Sequence, residues 1–197
     1  MFSDTLVVAS PVLEIGGDEE TATGGLLVQA AWLQLNLAVK GFFLRGGLSL
    51  GPFHIREGLL FGPALVAAYE LEQEAAVNPR IVLSDDFAKA QRDALAYYGE
   101  PRQSPQNMLL LVDQDERPFV NYLSLLLDDL DDPLVALAEH RDVVVGELDA
   151  THNDSRRWEK DRWVADYHNA FCGQAFLESN SSTSRRATVG SVPSPSD

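Results

Sequence analysis

Few residues in this chain have the type and setting to do chemistry. Asp4, in "FSDT", stands at the head of the apolar run Leu6-Val7-Val8-Ala9. A carboxylate there either caps and solubilises a strand end or serves a hard cation as an oxygen ligand. Arg45, in "FLRGGLSLG", falls on one strand face with Phe43 and Ser49, because side chains alternate across a strand. The two glycines beside it let a backbone or ligand come close, so phosphate contact is the chemistry open to it. The plainer reading of Arg45 is a surface arginine paired with one of many carboxylates. The four histidines, His54, His140, His152 and His168, have no metal-ligand spacing. His54 and His168 read as structural histidines. The one cysteine, Cys172, rules out an internal disulfide and leaves a zinc site dependent mostly on histidine and carboxylate.

The elements that must position these residues belong to a chain of 197 residues with 45% hydrophobic content, enough for one domain or a domain with an appendage. The formal charge is -15 and the pI is near 4.5. That excludes non-specific binding to nucleic acid or to an anionic membrane. It leaves room for a nucleotide whose phosphates are offset by local cations. No stretch approaches the roughly 18 uninterrupted apolar residues of a membrane span. The N-terminus has no basic region followed by an apolar core, so a cytoplasmic location is expected.

Pattern and punctuation predict a strand over 2–12, a polar glycine-rich loop "EIGGDEETATGG", and a helix over 26–40 stopped by Gly41. A strand around residues 43–50 follows, then a turn and a shorter strand in "HIREGLLFG". Gly62-Pro63 opens a helix with Ala64, Ala68, Leu71 and Ala75 on one stripe and Val66 and Glu70 opposite. "RIVLS" reads as a strand, with Asp85 or Asp86 capping a helix through Tyr97. "NMLLLVDQDERPFVNYLSLLL" reads as two strands around a polar turn. Helices are expected from about Asp131, started by Pro133, and from Asp154 to Leu177. Trp158, Trp163 and Tyr167 on the last helix read as packing surface, and Tyr69 on the alanine-rich helix reads as packing too. The tail from Ser179, which holds Arg185 and Arg186, is too polar to order itself. Strands and helices thus alternate over the first two thirds, and two helices close the domain, an α/β or α+β sandwich.

"GGDEE" at 16–20 is close to the signature of diguanylate cyclases, but there an apolar strand follows at once. Here Thr21-Ala22-Thr23-Gly24-Gly25 and a helix follow, so it reads as an acidic surface loop. A stronger signal is the ordered set "FSDT", a helix, "RGGLSLG", "FGPALVAAYELE", "RIVLS" and the late "RWVADYHN". This set, over roughly Phe2 to Ala170, resembles the class III nucleotidyl cyclases. Its wording is most similar to the bacterial antiphage pyrimidine (uridylate) cyclases of Pycsar systems. The resemblance implies a ferredoxin-like cyclase palm, with helices on a mainly antiparallel sheet, over residues 1–130. A helical pair over 131–178 and a disordered tail over 179–197 complete the chain.

The resemblance further implies cyclisation of a nucleoside triphosphate, UTP or CTP, to a 3′,5′-cyclic mononucleotide and pyrophosphate. Two Mn2+ or Mg2+ ions, roughly 3.5–4 Å apart, would activate the 3′-hydroxyl and neutralise the leaving phosphates. Asp4 matches the metal aspartate of the family's hairpin. Arg45 is the expected substrate-binding residue. A homodimer is implied, and antiphage signalling links it indirectly to a cyclic-nucleotide-responsive effector. The other metal aspartate should sit on a strand ahead of Asp4, where this sequence has only Met1, Phe2 and Ser3. The expectation is a truncated chain or a natural remnant, inactive as it stands. The ribose- and phosphate-binding Asn and Arg of many class III cyclases are matched by Val66 and Glu70, and glutamate cannot donate to a phosphate. The alternative reading is a catalytically silent cyclase-like module that dimerises or binds nucleotide.

Overall fold

A computed structural model describes residues 5–12, 19–98, 104, 106–128 and 132–173. In chain order its elements are α1 (Glu19–Ala38), β1 (Gly46–Leu48), β2 (His54–Arg56), β3 (Leu59–Phe61), α2 (Pro63–Glu70) with a π-helical extension (Leu71–Ala75), β4 (Ile81–Leu83) and α3 (Asp85–Tyr97). There follow β5 (Leu110–Val112), β6 (Pro118–Val120), α4 (Leu125–Asp128), α5 (Pro133–Thr151) and α6 (Ser155–Cys172). The class is α+β, with one mixed four-stranded sheet and a separate two-stranded hairpin.

The sheet order is β1-β4-β6-β5. β1 and β4 are parallel, whereas β6 runs antiparallel to both β4 and β5. Strand alternation divides the side chains between two faces. Leu48, Ile81, Leu83, Leu110 and Val120 join the core with Leu27, Ala31 and Leu35 of α1 and Phe87 of α3. Gly47, Val82 and Phe119 are in register across the other face. There Gly47 lies under α2: a Cβ on it would be 2.4 Å from the Ala68 carbonyl oxygen. Phe119 meets Trp163 and Tyr167 of α6 edge-on.

Several local expectations hold. The β5–β6 hairpin forms around its polar turn, and Pro133 starts α5, where Asp132 accepts from the N–H groups of Leu134 and Val135. "HIREGLLF", expected as a turn and one short strand, instead forms two short strands paired around Glu57 and Gly58, both with positive φ, the backbone that a two-residue hairpin turn needs.

Others need correction. The strand expected over 2–12 is not formed in its described part. Residues 5–12 pair with no strand among the described residues, and Leu6 and Val8 are 67% and 50% exposed. Apolar composition alone does not make a strand, which needs a ladder partner for its backbone. α1 starts at Glu19, not Leu26, so much of the expected loop is helical. The reason is packing: Gly24 leaves room for Gln106, whose Nε2 would be 2.5 Å from a Cβ there, and Gln91 donates to Thr23 Oγ1 at 2.7 Å. Ser84, not Asp85 or Asp86, caps α3, accepting from Phe87 N at 3.2 Å. α6 ends at Cys172, where Gly173 turns left-handed with φ 66°. The tail beyond it lies outside the described residues.

Candidate functional site

Among the described residues, concavities open on two sides of the sheet. The smaller, about 480 Å³, lies between residues 8–12, Thr23 and Leu26 of α1, and Ser49, Leu50, Phe53 and Ala64. The larger, about 1330 Å³, opens between the π-helical extension of α2, the β5–β6 turn and the first half of α6.

The larger cleft is built around Arg80. The α2 extension ends at Ala75, and the bend at Asn78-Pro79 delivers Arg80 just ahead of β4, where its side chain is 4% exposed. Its Nη1 donates to Asp113 at 2.6 Å and to Asp115 at 3.0 Å. Its Nη2 donates to Asp115 at 2.5 Å and to the Ala75 carbonyl at 3.2 Å. The turn holds these carboxylates in place, since Asp113 also accepts from Gln114 N at 2.7 Å and from Trp163 Nε1 at 3.3 Å. Partial burial raises the Asp115 carboxyl, but the hydrogen bond and charge of Arg80 and the neighbouring Arg117 leave it below its usual value. Trp163 stacks on Tyr167, and the Arg162 guanidinium lies over Trp158, 5.9 Å from its ring centre, while pairing with Asp166.

Seven carboxylates and three guanidinium groups line this cleft. Glu70, Glu74, Asp85 and Glu159 of that set make no ion pair among the described residues. The excess of negative charge repels a bare phosphate and attracts cations.

A second buried polar cluster joins the last helices to the sheet. Tyr167 donates to Asn121 Oδ1 at 2.6 Å and accepts from Leu123 N at 3.1 Å. Tyr122 contacts His140 Nε2 at 3.1 Å, and His140 Nδ1 lies 3.0 Å from His168 Nδ1. Burial pushes both phenols far above their usual range. Burial, with the charge of His168, lowers His140 to about 3. Burial, with the charge of Arg141, lowers His168 to about 4.

Of the residues singled out from the sequence, Asp4 lies outside the described residues. Arg45 precedes β1 and pairs with Glu72 at 2.9 Å, its side chain 35% exposed. Ser49 does not join it but donates to the Ala64 carbonyl at 2.6 Å. Val66 and Glu70 are exposed on α2, and Glu70 lines the larger cleft. Tyr69, expected to pack, is 58% exposed. Trp163, Tyr167 and His168 pack inside as expected, whereas His54 is on the exposed hairpin, stacked on Phe61. No group of three or more His, Cys, Asp or Glu among the described residues is arranged to hold a metal ion. No helix among them is long and apolar enough to cross a membrane.

Sequence reading missed Arg80, Asp113, Asp115 and the Tyr122–His140–His168 cluster. The signal was there in part. "DQD" between two strands places two carboxylates on one turn, and His140 occurs three residues after the core residue Leu137. Comparison with protein-family models, with curated proteins and with solved structures finds no match.

Proposed function

We propose that this chain is a nucleotide cyclase domain that turns a pyrimidine nucleoside triphosphate, UTP or CTP, into a 3′,5′-cyclic mononucleotide and pyrophosphate. The observation that carries the reading is the β1–α2–β4 unit. A "RGGL" strand runs parallel to an "IVL" strand, and a glycine-led, alanine-rich helix crosses between them, pressed onto Gly47. This is the order of pieces in which the sequence resembles class III cyclases, and a cyclase palm is the fold proposed for it.

Among the described residues no carboxylate set fits a pair of divalent ions, so no step is assigned through Mn2+ or Mg2+. Asp4 is the proposed ligand from this chain, and bound ions would polarise the attacking 3′-hydroxyl and the leaving phosphates. Arg45, close to the glycines of β1, is the proposed phosphate contact, which requires it to leave Glu72. The proposed assembly is a homodimer, supported by the hairpin β2–β3. Its Ile55 and Leu59 are 66% and 65% exposed, and Phe61, Val66 and Tyr69 continue the apolar surface. Signalling in antiphage defence, through an effector that reads the cyclic product, follows from the resemblance alone.

A second reading, a silent nucleotide-binding or dimerisation module, is favoured by Glu70 and the excess carboxylates of the larger cleft.

The test is to incubate the chain, extended in frame upstream of Met1, with each of the four ribonucleoside triphosphates and manganese, and to detect products by mass. Cyclic UMP or CMP is expected, abolished by Asp4→Ala. Product that survives Asp4→Ala removes Asp4 from the site. Nucleotide binding without product from any triphosphate gives the silent module.

A further inference from the structure

The larger cleft carries charge that no ion pair of the fold uses. Glu70 and Glu74 stand on α2 and its extension, Asp85 opens α3, and Glu159 comes from α6. All four are exposed, and none has an ion pair among the described residues. No three His, Cys, Asp or Glu side chains among the described residues converge as a metal ion requires, so this charge is spread along the walls. Spread charge is matched by cations held apart on a chain. The volume, about 1330 Å³, exceeds the roughly 300–1,000 Å³ of a small-molecule pocket.

Two further features say what those cations are attached to. The Arg162 guanidinium lies over the Trp158 ring, 5.9 Å from its centre, so this wall takes a planar cation on its face. The cleft also holds guanidinium N–H groups without an acceptor among the described residues. Nε of Arg80, whose side chain is 4% exposed, and Nη2 of Arg162 are both buried with no hydrogen-bond partner. A buried donor left unmade is costly, so an acceptor is the missing complement. A protonated polyamine offers cations but no acceptor. A phosphate offers acceptors but is repelled by the excess of carboxylates. A basic stretch of polypeptide offers both, since every residue brings a carbonyl beside its side chain.

We propose that the larger cleft docks a basic segment of another polypeptide: its arginines pair with Glu70, Glu74 and Glu159, and one of them takes the place of Arg162 on the face of Trp158. Displaced from the ring, Arg162 keeps Asp166 through Nε and turns Nη2 to a carbonyl of the incoming segment. Backbone carbonyls of that segment supply the acceptors that Arg80 Nε and Arg162 Nη2 lack. Trp163, held by Asp113 and stacked on Tyr167, stays in place as the fixed part of the wall. The inference does not depend on the cyclase reading.

The probe is a capped peptide of four arginines separated by glycines, titrated into the full chain by calorimetry at about 0.15 M salt. Saturable binding is expected. Glu70→Gln with Glu74→Gln and Glu159→Gln should weaken it about tenfold or more, because three ion pairs are lost together. Glu57→Gln with Glu139→Gln and Asp149→Asn removes as many exposed charges away from the cleft, and should change the affinity less than about twofold. Spermine, with the same charge and no carbonyl, should bind about tenfold more weakly than the peptide. Equal losses in the two triple variants, spermine binding as tightly as the peptide, or no saturable binding at all overturns the proposal. The rival occupant is the chain's own Arg185-Arg186, outside the described residues. Arg185→Gln with Arg186→Gln should leave peptide affinity within about twofold of the native chain. A rise of about tenfold gives the cleft to the chain's own tail and overturns the assignment to a partner.

Discussion

Arg80 and Asp113 meet at 2.6 Å with side chains only 4% and 8% exposed, on adjacent ends of β4 and the β5–β6 turn. Removing Arg80 leaves Asp113 without a cation among the described residues, whereas Arg80 keeps Asp115 if Asp113 is removed. Arg80→Met should therefore destabilise the fold by about 3–5 kcal/mol, read as a lower urea midpoint. The joint replacement Arg80→Met with Asp113→Leu should recover most of that loss, because an apolar pair does not have to be desolvated as charge.

Gly47 and Gly25 make a matched pair of opposite sign. Gly47→Ala would put a Cβ 2.4 Å from the Ala68 oxygen and 2.7 Å from Leu71 Cβ. α2 must lift off β1, at about 1–3 kcal/mol. Gly25 is exposed within α1, and a Cβ there meets nothing within 4 Å. Gly25→Ala should stabilise by about 0.5–1 kcal/mol through helix propensity. Thermal melts of the two variants should move in opposite directions.

How much of this was legible beforehand differs from element to element. Turn chemistry gave the β5–β6 hairpin and the start of α5, because "DQDERP" and Pro133 act locally; in "HIREGLLFG" it gave a turn and one strand but not the pairing of β2 with β3. The start of α1 was read late: what makes Gly24 acceptable in a helix is Gln106, distant in sequence and invisible to a local pattern. The first strand was over-read, since apolar composition cannot say whether a ladder partner is present. Of the candidate sites, Arg45 showed its charge but not its partner Glu72, and Arg80 carried no local signal, because its partners come from the β5–β6 turn more than thirty residues on.

Acidification should weaken the protein in two ranges with different causes. His140 and His168 are held neutral, at about 3 and about 4, below the ordinary value of 6.5. Unfolding releases them to take up protons, so their contribution is complete above pH 6.5 and declines as pH falls toward 4 and 3. Asp115 is depressed below 3.8, so what it contributes is present above that value and declines as pH falls further. Urea midpoints against pH should show the first slope reduced in His140→Gln and the second reduced in Asp115→Asn. An unchanged first slope in His140→Gln would place the acid sensitivity elsewhere.

The exposed hairpin gives a prediction about assembly. Leu59 is 65% exposed and Ile55 66%, so replacing both with lysine removes no core contact. Stability should stay within about 0.5 kcal/mol of the parent. If two copies meet through this hairpin, sedimentation should show dimers for the parent and monomers for the variant.

The aromatic wall of α6 has a spectroscopic consequence. Trp163 lies 5.6 Å from Tyr167, almost parallel, and 5.7 Å from Phe119. At such separations a phenol passes its excitation to an indole almost completely. Trp163 therefore emits for the whole stack, and whatever enters the neighbouring cleft or shifts Asp113 will change the colour and brightness of the protein's own light.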